Sequence, residues 1–349
     1  MINEPLVYIV LVNYKTWQDT LECLNSLFHL SYVNFKVVVV DNNSANGSVE
    51  QIRDWSNSEY TLPIQEEVYK SQFIKPELVN KTITCQHIHA DNLDQANPGN
   101  YDLLVVDSEK NLGFAGGNNI GIRIALNNQA DYVWLLNNDT VVEQDTLSKL
   151  VKYFRRKRHN KEALGILGSK LLYYHNPDTV QALLGRYKPL SATTEHLGLH
   201  SKDRHHTSFP TIQKNDYVVG ASMFVSTDFI KEVGLMAENY FIYFEELDWV
   251  KRGQKYGYTI DVCINSKVYH KEGASIGGSL KDNNNKSELS DFYSIRNRIL
   301  ITKKYYKRYL PSVYFSLIFV VANRIKRRQF DRLPMILKLI AKSIYKPHN

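Results

Sequence analysis

Apolar runs that stop abruptly at amides and carboxylates recur along this chain. Leu6 to Val12 is a continuous apolar run that ends at Asn13-Tyr14-Lys15. Its length and composition predict a parallel strand buried on both faces. Lys36 to Val40 predicts a second buried strand, ending at Asp41-Asn42-Asn43-Ser44, and Leu103 to Val106 a third. The run Tyr132-Val133-Trp134-Leu135-Leu136 stops at Asn137-Asn138-Asp139. Between these runs the period changes. Leu21, Leu24, Leu27 and Phe28 share one helical face, with Thr16 or Asp19 available as a cap. Further helices are predicted over Ser48 to Trp55, about Ile120 to Asn127, and Val141 to Phe154, the last with Asp139 as a candidate N-cap. Alternating strands and helices imply an α/β fold with parallel strands, in which ligands bind where the strands' carboxyl ends leave the core.

Regularity fails in two places. From about 57 to 100, Pro63, Pro76, Pro98 and short apolar bursts such as Thr82-Ile83-Thr84 suggest an irregular insertion with an edge hairpin. Within it, His87-Ile88-His89 reads as an exposed alternating strand rather than a metal pair. Residues 185–215, with His196, His200, His205 and His206, read as a mobile loop rather than a metal site. Gly165 to Gly168 continuing through Lys170 to Tyr174, and Tyr217 to Val225, are predicted strands. Gly220 in the middle of the latter suggests a bulge or the close approach of a ligand.

The composition is that of a folded protein: 43% hydrophobic and 23% charged over 349 residues. The net charge of +7 is unevenly placed. From Arg296 to Asn349 there are 14 Lys/Arg and one acid, Asp331, so this tail carries +13 and the preceding 295 residues −6. Cys23, Cys85 and Cys263 form neither a zinc spacing nor a disulfide framework. The first residues show no basic signal-peptide region, so the chain is expected on the cytosolic side.

Candidate chemistry sits at the ends of the runs. Asp41, Asp139, Glu246 and His270 each follow an apolar or aromatic stretch. A carboxylate and a histidine can hold a divalent cation, and a second carboxylate can serve as general base. Glu245, Glu246 and Asp248 directly follow Phe241-Ile242-Tyr243-Phe244. At helical spacing Glu245 and Asp248 share a face while Glu246 points elsewhere; an acidic first helical turn is the plainer explanation of the same cluster. Gly113-x-x-Gly116-Gly117 allows close backbone approach to a phosphate but matches neither a P-loop nor a dinucleotide fingerprint.

With these landmarks in order, the chain resembles the glycosyltransferase family 2 enzymes of the GT-A fold, particularly bacterial rhamnosyltransferase-like members. The resemblance runs from about Leu6 to Leu310, interrupted by the insertion. It rests on Val12-Asn13-Tyr14, Asp41-Asn42-Asn43-Ser44, Asn111-x-Gly113-Phe114-Ala115-Gly116-Gly117-Asn118, Leu135-Leu136-Asn137-Asn138-Asp139, Phe244-Glu245-Glu246-x-Asp248 and His270-x-x-Gly273-x-Ser275. It implies a Rossmann-like mixed sheet flanked by helices over residues 1–290, followed by a basic helical tail over 291–349. It also implies a nucleotide-sugar donor, dTDP- or UDP-linked, and inversion at the anomeric carbon.

Residue by residue, the resemblance makes Val12, Asn13, Tyr14, Asp41, Asn43, Asn111, Gly116, Asn118, Asn137 and Asn138 donor-binding. Asp139 and His270 become ligands of Mg²⁺ or Mn²⁺, with Asn137 standing where the family's DxD motif has its first aspartate. Glu246 falls at the catalytic base, where an aspartate is usual, and Asp248 is a second catalytic candidate. Glu245, Arg296 and Arg298 are candidate phosphate or acceptor contacts. The implied acceptor is a saccharide or a polyprenyl-linked sugar in bacterial surface polysaccharide synthesis. A non-catalytic sugar- or lipid-binding relative and a sugar-nucleotide nucleotidyltransferase are the competing classes.

In the tail, the apolar run Leu310 to Ala322 falls short of the roughly 20 residues a spanning helix needs. Arg324 to Arg328 and the stripe Leu333, Ile336, Leu337, Ile340 and Ile344 follow it. Basic residues beside apolar stripes suit the anionic inner face of a membrane, and helices packed on the catalytic domain explain the pattern equally. No nucleic-acid recognition motif accompanies the basic charge, so nucleic acid is not an expected partner.

Overall fold

The computed structural model describes residues 4–57, 83–203, 211–271 and 287–345. Its elements, in chain order, begin with β1 (Val7–Asn13), α1 (Trp17–Phe28), β2 (Phe35–Asp41), α2 (Ser48–Asn57), β3 (Cys85–His89) and β4 (Leu103–Asp107). Then come α3 (Gly113–Asn127), β5 (Tyr132–Asn137), β6 (Thr140–Val142), α4 (Thr146–His159), β7 (Leu164–Tyr173) and β8 (Asn176–Ala182). Next are β9 (Leu184–Lys188), β10 (Thr193–Leu197), β11 (Asp216–Tyr217), β12 (Ser222–Ser226), α5 (Thr227–Val233), α6 (Glu245–Lys255) and β13 (Thr259–His270). Three helices end the chain: α7 (Glu288–Tyr305), α8 (Leu310–Lys326) and α9 (Leu333–Tyr345).

The Val/Ile/Leu-rich runs pair as a mixed sheet in the order β3-β4-β2-β1-β5-β12-β7-β13-β6, with β8 on β7. The strands from β3 to β5 are parallel, whereas β12 runs antiparallel to both β5 and β7. Alternate side chains enter opposite layers. Ile9, Leu11, Val37 and Val39 pack with Leu21, Leu24, Ile52 and Leu147 of α1, α2 and α4. Tyr8, Val10, Val38 and Val40 pack with Ile120, Ile122 and Ile124 of α3. Register then lines up the polar strand ends: Asn13 opposite Asp41, Asp41 opposite Asp107, and Val12 opposite Asn137. β1 lies between β2 and β5, so the direction of winding reverses beside it, the position where an open α/β sheet leaves a crevice.

Four expectations about the elements are corrected. The glycine segment is not a turn before a helix at Ile120; α3 begins at Gly113. Two of its glycines face the sheet: a Cβ on Gly117 would stand 2.8 Å from Val12, and one on Gly121 2.4 Å from Val10. Val141 does not start a helix, because Thr140–Val142 pairs antiparallel with Val268–His270 and α4 begins only at Thr146. Residues 185–215 are not one loop. β10 and β11 flank β9 in a small antiparallel sheet, with Leu184, Tyr187 and Tyr217 buried; His205 and His206 lie outside the described residues. Finally, the strand expected over Tyr217 to Val225 is two strands, with Val218 to Ala221 between them. Of the 57–100 insertion, residues 58–82 lie outside the described set, and β3 pairs parallel to β4 at the sheet edge.

One helix fixes the segment that crosses over the sheet's carboxyl edge. Phe241, Tyr243 and Phe244 have φ of 64°, 71° and 73°. For non-glycine residues such a backbone costs about 1–3 kcal/mol each. The amide of Asn297 on α7, fully buried, donates to the carbonyls of Tyr240 (2.8 Å), Ile242 (2.8 Å) and Tyr243 (3.1 Å). Phe241 also stacks on Tyr293 of α7 at 4.6 Å between ring centroids. Asn297→Ala leaves buried carbonyls unpaired and is expected to lower the unfolding free energy by about 2–3 kcal/mol in urea denaturation. A loss below about 0.5 kcal/mol would show that the turn holds its shape without the clamp.

Candidate active site

A cavity of about 380 Å³ opens at the crevice beside β1. Val12 and Tyr14 from the end of β1, Asn42 after β2, and Leu136, Asn137 and Asn138 from the end of β5 form one side. Asn111, Gly113, Phe114 and Asn118 close a second side, and Phe241, Ile242, Ser287, Leu289 and Ser290 a third. The walls are apolar surface and amides, with no charged side chain among them.

Below the cavity lies a buried polar layer. Asn13 donates to Asp41 Oδ1 at 2.6 Å and accepts from Thr20 Oγ1 at 2.8 Å. Asp41 also accepts from the Ser44 hydroxyl and the Ser44 N–H. Asn138 donates to the hydroxyls of Thr16 and Thr20, both at 2.9 Å. Of the expected donor contacts, Val12, Tyr14, Asn111, Asn118, Asn137 and Asn138 therefore line the cavity. Asn13 and Asp41 are buried beneath it and shape its floor. Gly116 packs within α3, where a Cβ would meet Leu112 at 2.6 Å. Asn43 is exposed, and its neighbour Asn42 takes the inward place.

Asn42 was not among the sequence candidates. It donates to Asn111 Oδ1 and the Gly113 carbonyl, and it accepts from the Leu112 N–H at 2.9 Å. Its signal in the sequence is parity: two residues beyond Val40, it returns to the face that α3 covers. Gly113 is required where it stands. Its φ is +69°, and a Cβ there would lie 2.3 Å from the Phe241 carbonyl oxygen, which accepts from the Phe114 N–H at 2.7 Å.

Asp139 and His270 meet because β6 pairs with the end of β13. Asp139 Oδ1 lies 3.2 Å from His270 Nε2 and is a buried oxygen with no hydrogen-bond donor among the described residues. Burial pushes the Asp139 carboxyl up, but His270, its own backbone N–H and Lys271 outweigh that and hold it below its usual range. His270 Nδ1 faces Gln181 Oε1 at 2.8 Å, and Asn137 Nδ2 approaches Nε2 at 3.2 Å. Hydrogen on Nδ1, toward the Gln181 oxygen, leaves Nε2 to accept from the Asn137 amide, whereas a doubly protonated His270 is an ion-pair partner of Asp139. With the Asn137 amide turned away, the 3.2 Å between Asp139 Oδ1 and His270 Nε2 would suit a cation bound to both, since ligands about 2.1 Å from an ion in adjacent positions stand about 3 Å apart. No group of three or more His, Cys, Asp or Glu converges among the described residues. Asp139 and His270 would give an ion two protein donors and leave its other positions to substrate phosphates.

Lys271, beside this pair, donates to Asp19 at 2.6 Å and also pairs with Glu22. Gly273 and Ser275 of the same motif lie outside the described residues.

The acidic cluster divides as the helical period predicts. Glu245 and Asp248 are buried, and Glu246 is partly exposed. Glu246 Oε1 lies 2.7 Å from where a Cβ on Gly220 would stand, and Phe114 of the cavity wall lies 3.2 Å from the same point. The close approach anticipated at Gly220 is therefore that of the Glu246 carboxylate. Burial raises the Glu246 carboxyl, with its own N–H and that of Gly220 pulling it partly back. Burial and the adjacent Glu246 charge push Glu245 well up, and its Oε2 has no partner among the described residues.

Asp248 is not free for proton transfer. Fully buried, it accepts from Tyr240 (3.2 Å), Tyr305 (2.9 Å), Lys304 (2.6 Å) and Arg252 (2.9 Å), which tie α6 to α7. The arginines expected at a phosphate are also committed elsewhere. Arg296 donates to the Asn239 carbonyl at 2.8 Å, and Arg298 to the Ser191 carbonyl and Ser316 Oγ at 2.8 and 3.0 Å.

A family model described as "Glycosyl transferase family 2" matches residues 8–65 and 89–196. The chain is 19% identical over 319 residues to the low-salt glycan biosynthesis hexosyltransferase Agl10 of Haloferax volcanii, covering 90% of this chain and 81% of that protein. It is 26% identical over 216 residues to the dTDP-rhamnosyl transferase RfbF of Shigella flexneri, covering 60% of this chain and 67% of the relative. Among solved structures, the mannosyltransferase PcManGT of Pyrobaculum calidifontis, in complex with GDP-Man and Mn²⁺, superposes with a TM-score of 0.50. That match spans 99% of this chain and 89% of the other at 11% identity, and so speaks to the fold alone. The glycine-rich start of α3, the Asn-Asn-Asp end of β5 and the matched segments agree: residues 8–65 and 89–196 carry the glycosyl transferase family 2 pattern, on the GT-A fold.

Proposed function

We propose that this chain is an inverting glycosyltransferase that moves a sugar, rhamnose in the reading favoured by the RfbF relative, from a dTDP- or UDP-linked donor to an acceptor hydroxyl. The observation that carries the reading is the crevice itself. An amide-lined cavity at the switch point of the sheet has a buried carboxylate–histidine pair at one strand end and a carboxylate of raised pKa beside its Phe114 wall.

The nucleoside end of the donor would lie against Val12, Tyr14 and Asn42, on the floor that Asn13 and Asp41 support. Asn111, Asn118, Asn137 and Asn138 supply hydrogen bonds along the cavity. Asp139 and His270 would hold Mg²⁺ or Mn²⁺, which when bound neutralises charge on the leaving diphosphate. Glu246 removes the proton from the acceptor hydroxyl as that oxygen attacks the anomeric carbon from the face opposite the diphosphate. One displacement inverts the centre, and no sugar–enzyme bond forms. Glu245, kept protonated by burial and by its neighbour's charge, adds no second negative charge beside the base. The acceptor is a saccharide or a polyprenyl-linked sugar of surface polysaccharide synthesis, met at the anionic inner face of the membrane.

Glu246→Gln is expected to lower kcat by about 10²–10⁴-fold while donor affinity stays within about threefold. Transfer at the wild-type rate would remove Glu246 from the role of base. Because the base acts deprotonated and burial raises its pKa, activity should rise with pH through a value above that of free glutamate, about 4.3. An acid limb at or below the free-glutamate value would contradict the assignment.

Asp139→Ala should abolish the Mn²⁺ signal that calorimetric titration of the protein with UDP and Mn²⁺ gives, along with donor hydrolysis. Retention of both would show that the cation is held elsewhere.

A further inference from the structure

The three C-terminal helices pack on one another and leave one apolar face uncovered. Ile295 and Ile299 of α7, Leu317 of α8 and Ile336 of α9 form a buried cluster. Asp291 at the start of α7 locks it by pairing with Arg324 at 2.7 Å and Arg332 at 2.6 Å. Val313 and Leu317 thus fix which side of α8 faces inward. On the other side Phe315 is 62% exposed, Ile318 61%, Phe319 57% and Ile325 48%. These positions fall within one arc of the helix. The rings of Phe315 and Phe319 meet edge to face, with 5.4 Å between their centroids.

Cations bracket this stripe. Lys307 and Arg308 precede α8, and Lys326, Arg327 and Arg328 end it; all five are exposed and make no ion pair among the described residues. No Asp or Glu occurs from Lys303 to Arg328. No helix among the described residues is long and apolar enough to cross a membrane. α8 spans about 25 Å at 1.5 Å per residue, with its apolar stripe along one side.

We infer that the outer face of α8 seats the protein flat on an anionic lipid surface, with Phe315, Ile318 and Phe319 entering the acyl boundary and the flanking cations meeting lipid phosphates. A second copy of this chain is a poor occupant of the same face, because it would bring five cations against five. α9 offers less, since Met335, Ile336, Leu339 and Ile340 pack into the helical cluster and Leu337 is its one large exposed apolar side chain among the described residues. This inference deepens the reading of a transferase at the membrane by naming the surface that docks. It is tested without donor or acceptor, so its failure leaves the transfer chemistry untouched.

The full chain is sedimented with vesicles of phosphatidylcholine alone and with vesicles that also contain phosphatidylglycerol. The protein should pellet with the second and stay in solution with the first. Phe315→Ser/Phe319→Ser should weaken that binding by about tenfold or more, because two exposed rings no longer enter the lipid. Lys326→Glu/Arg327→Glu/Arg328→Glu should do the same, with unchanged circular dichroism and melting in both variants. Failure to bind phosphatidylglycerol vesicles overturns the inference, as does a double Phe variant that binds like the wild type. A concentration-dependent dimer in light scattering that the Phe variant abolishes would assign the face to a second copy and also overturn it.

Discussion

Three residues of an aromatic segment adopt a left-handed backbone, and one buried amide holds them there. Everything on the open side of the cavity follows from that constraint. With Asn297 in place, the carbonyl of Phe241 points at the start of α3, receives the Phe114 N–H and forbids a side chain at Gly113. The same turn ends at Phe244, the residue before α6, and so sets where Glu246 enters the site. A relaxed turn would displace both the glycine-rich wall and the carboxylate. The strain is tolerated because several contacts, including the Phe241–Tyr293 stack, oppose its release together.

On the opposite side the arrangement is built by register. Parallel strands place Asn13 opposite Asp41 and Asn137 opposite Val12, and the side chains of Asn13, Asp41 and Asn138 are satisfied by each other, by Ser44 and by Thr16 and Thr20. Such a floor is rigid, because every buried polar group that it contains would be costly to leave unpaired. The departure is Asp139 Oδ1, buried and without a donor among the described residues.

The parallel strands β1, β2, β4 and β5 were legible in the sequence because burial on both faces forces continuous apolar runs, and the polar ends of those runs line the crevice. What was not legible depended on partners distant in sequence. Thr140-Val141-Val142 has no length to declare itself a strand until β13 arrives to pair with it. The helix starting at Gly113 runs against glycine's propensity and exists because small residues let α3 lie on β1. Asn43 and Asn42 are indistinguishable as residue types, and only strand parity separates the exposed one from the one that lines the cavity. Asp248 looked like a catalytic carboxylate because nothing local reveals that two tyrosines, a lysine and an arginine converge on it. Asn297 gave no signal at all, since its three acceptors lie more than 50 residues upstream.

The helix α7 therefore belongs to two structures at once. Through Asn297, Lys304 and Tyr305 it grips the turn and the helix that carries Glu246; through Ile295, Ile299 and Asp291 it grips α8 and α9. An anchor attached by a flexible tether would let the reacting centre wander at any height above a surface. Here no tether intervenes: a rigid beam joins the outer face of α8 to the cavity. With the outer face of α8 seated on a surface, the height of the cavity above it would be a fixed length of the fold, and an acceptor hydroxyl at another height would be excluded by distance alone.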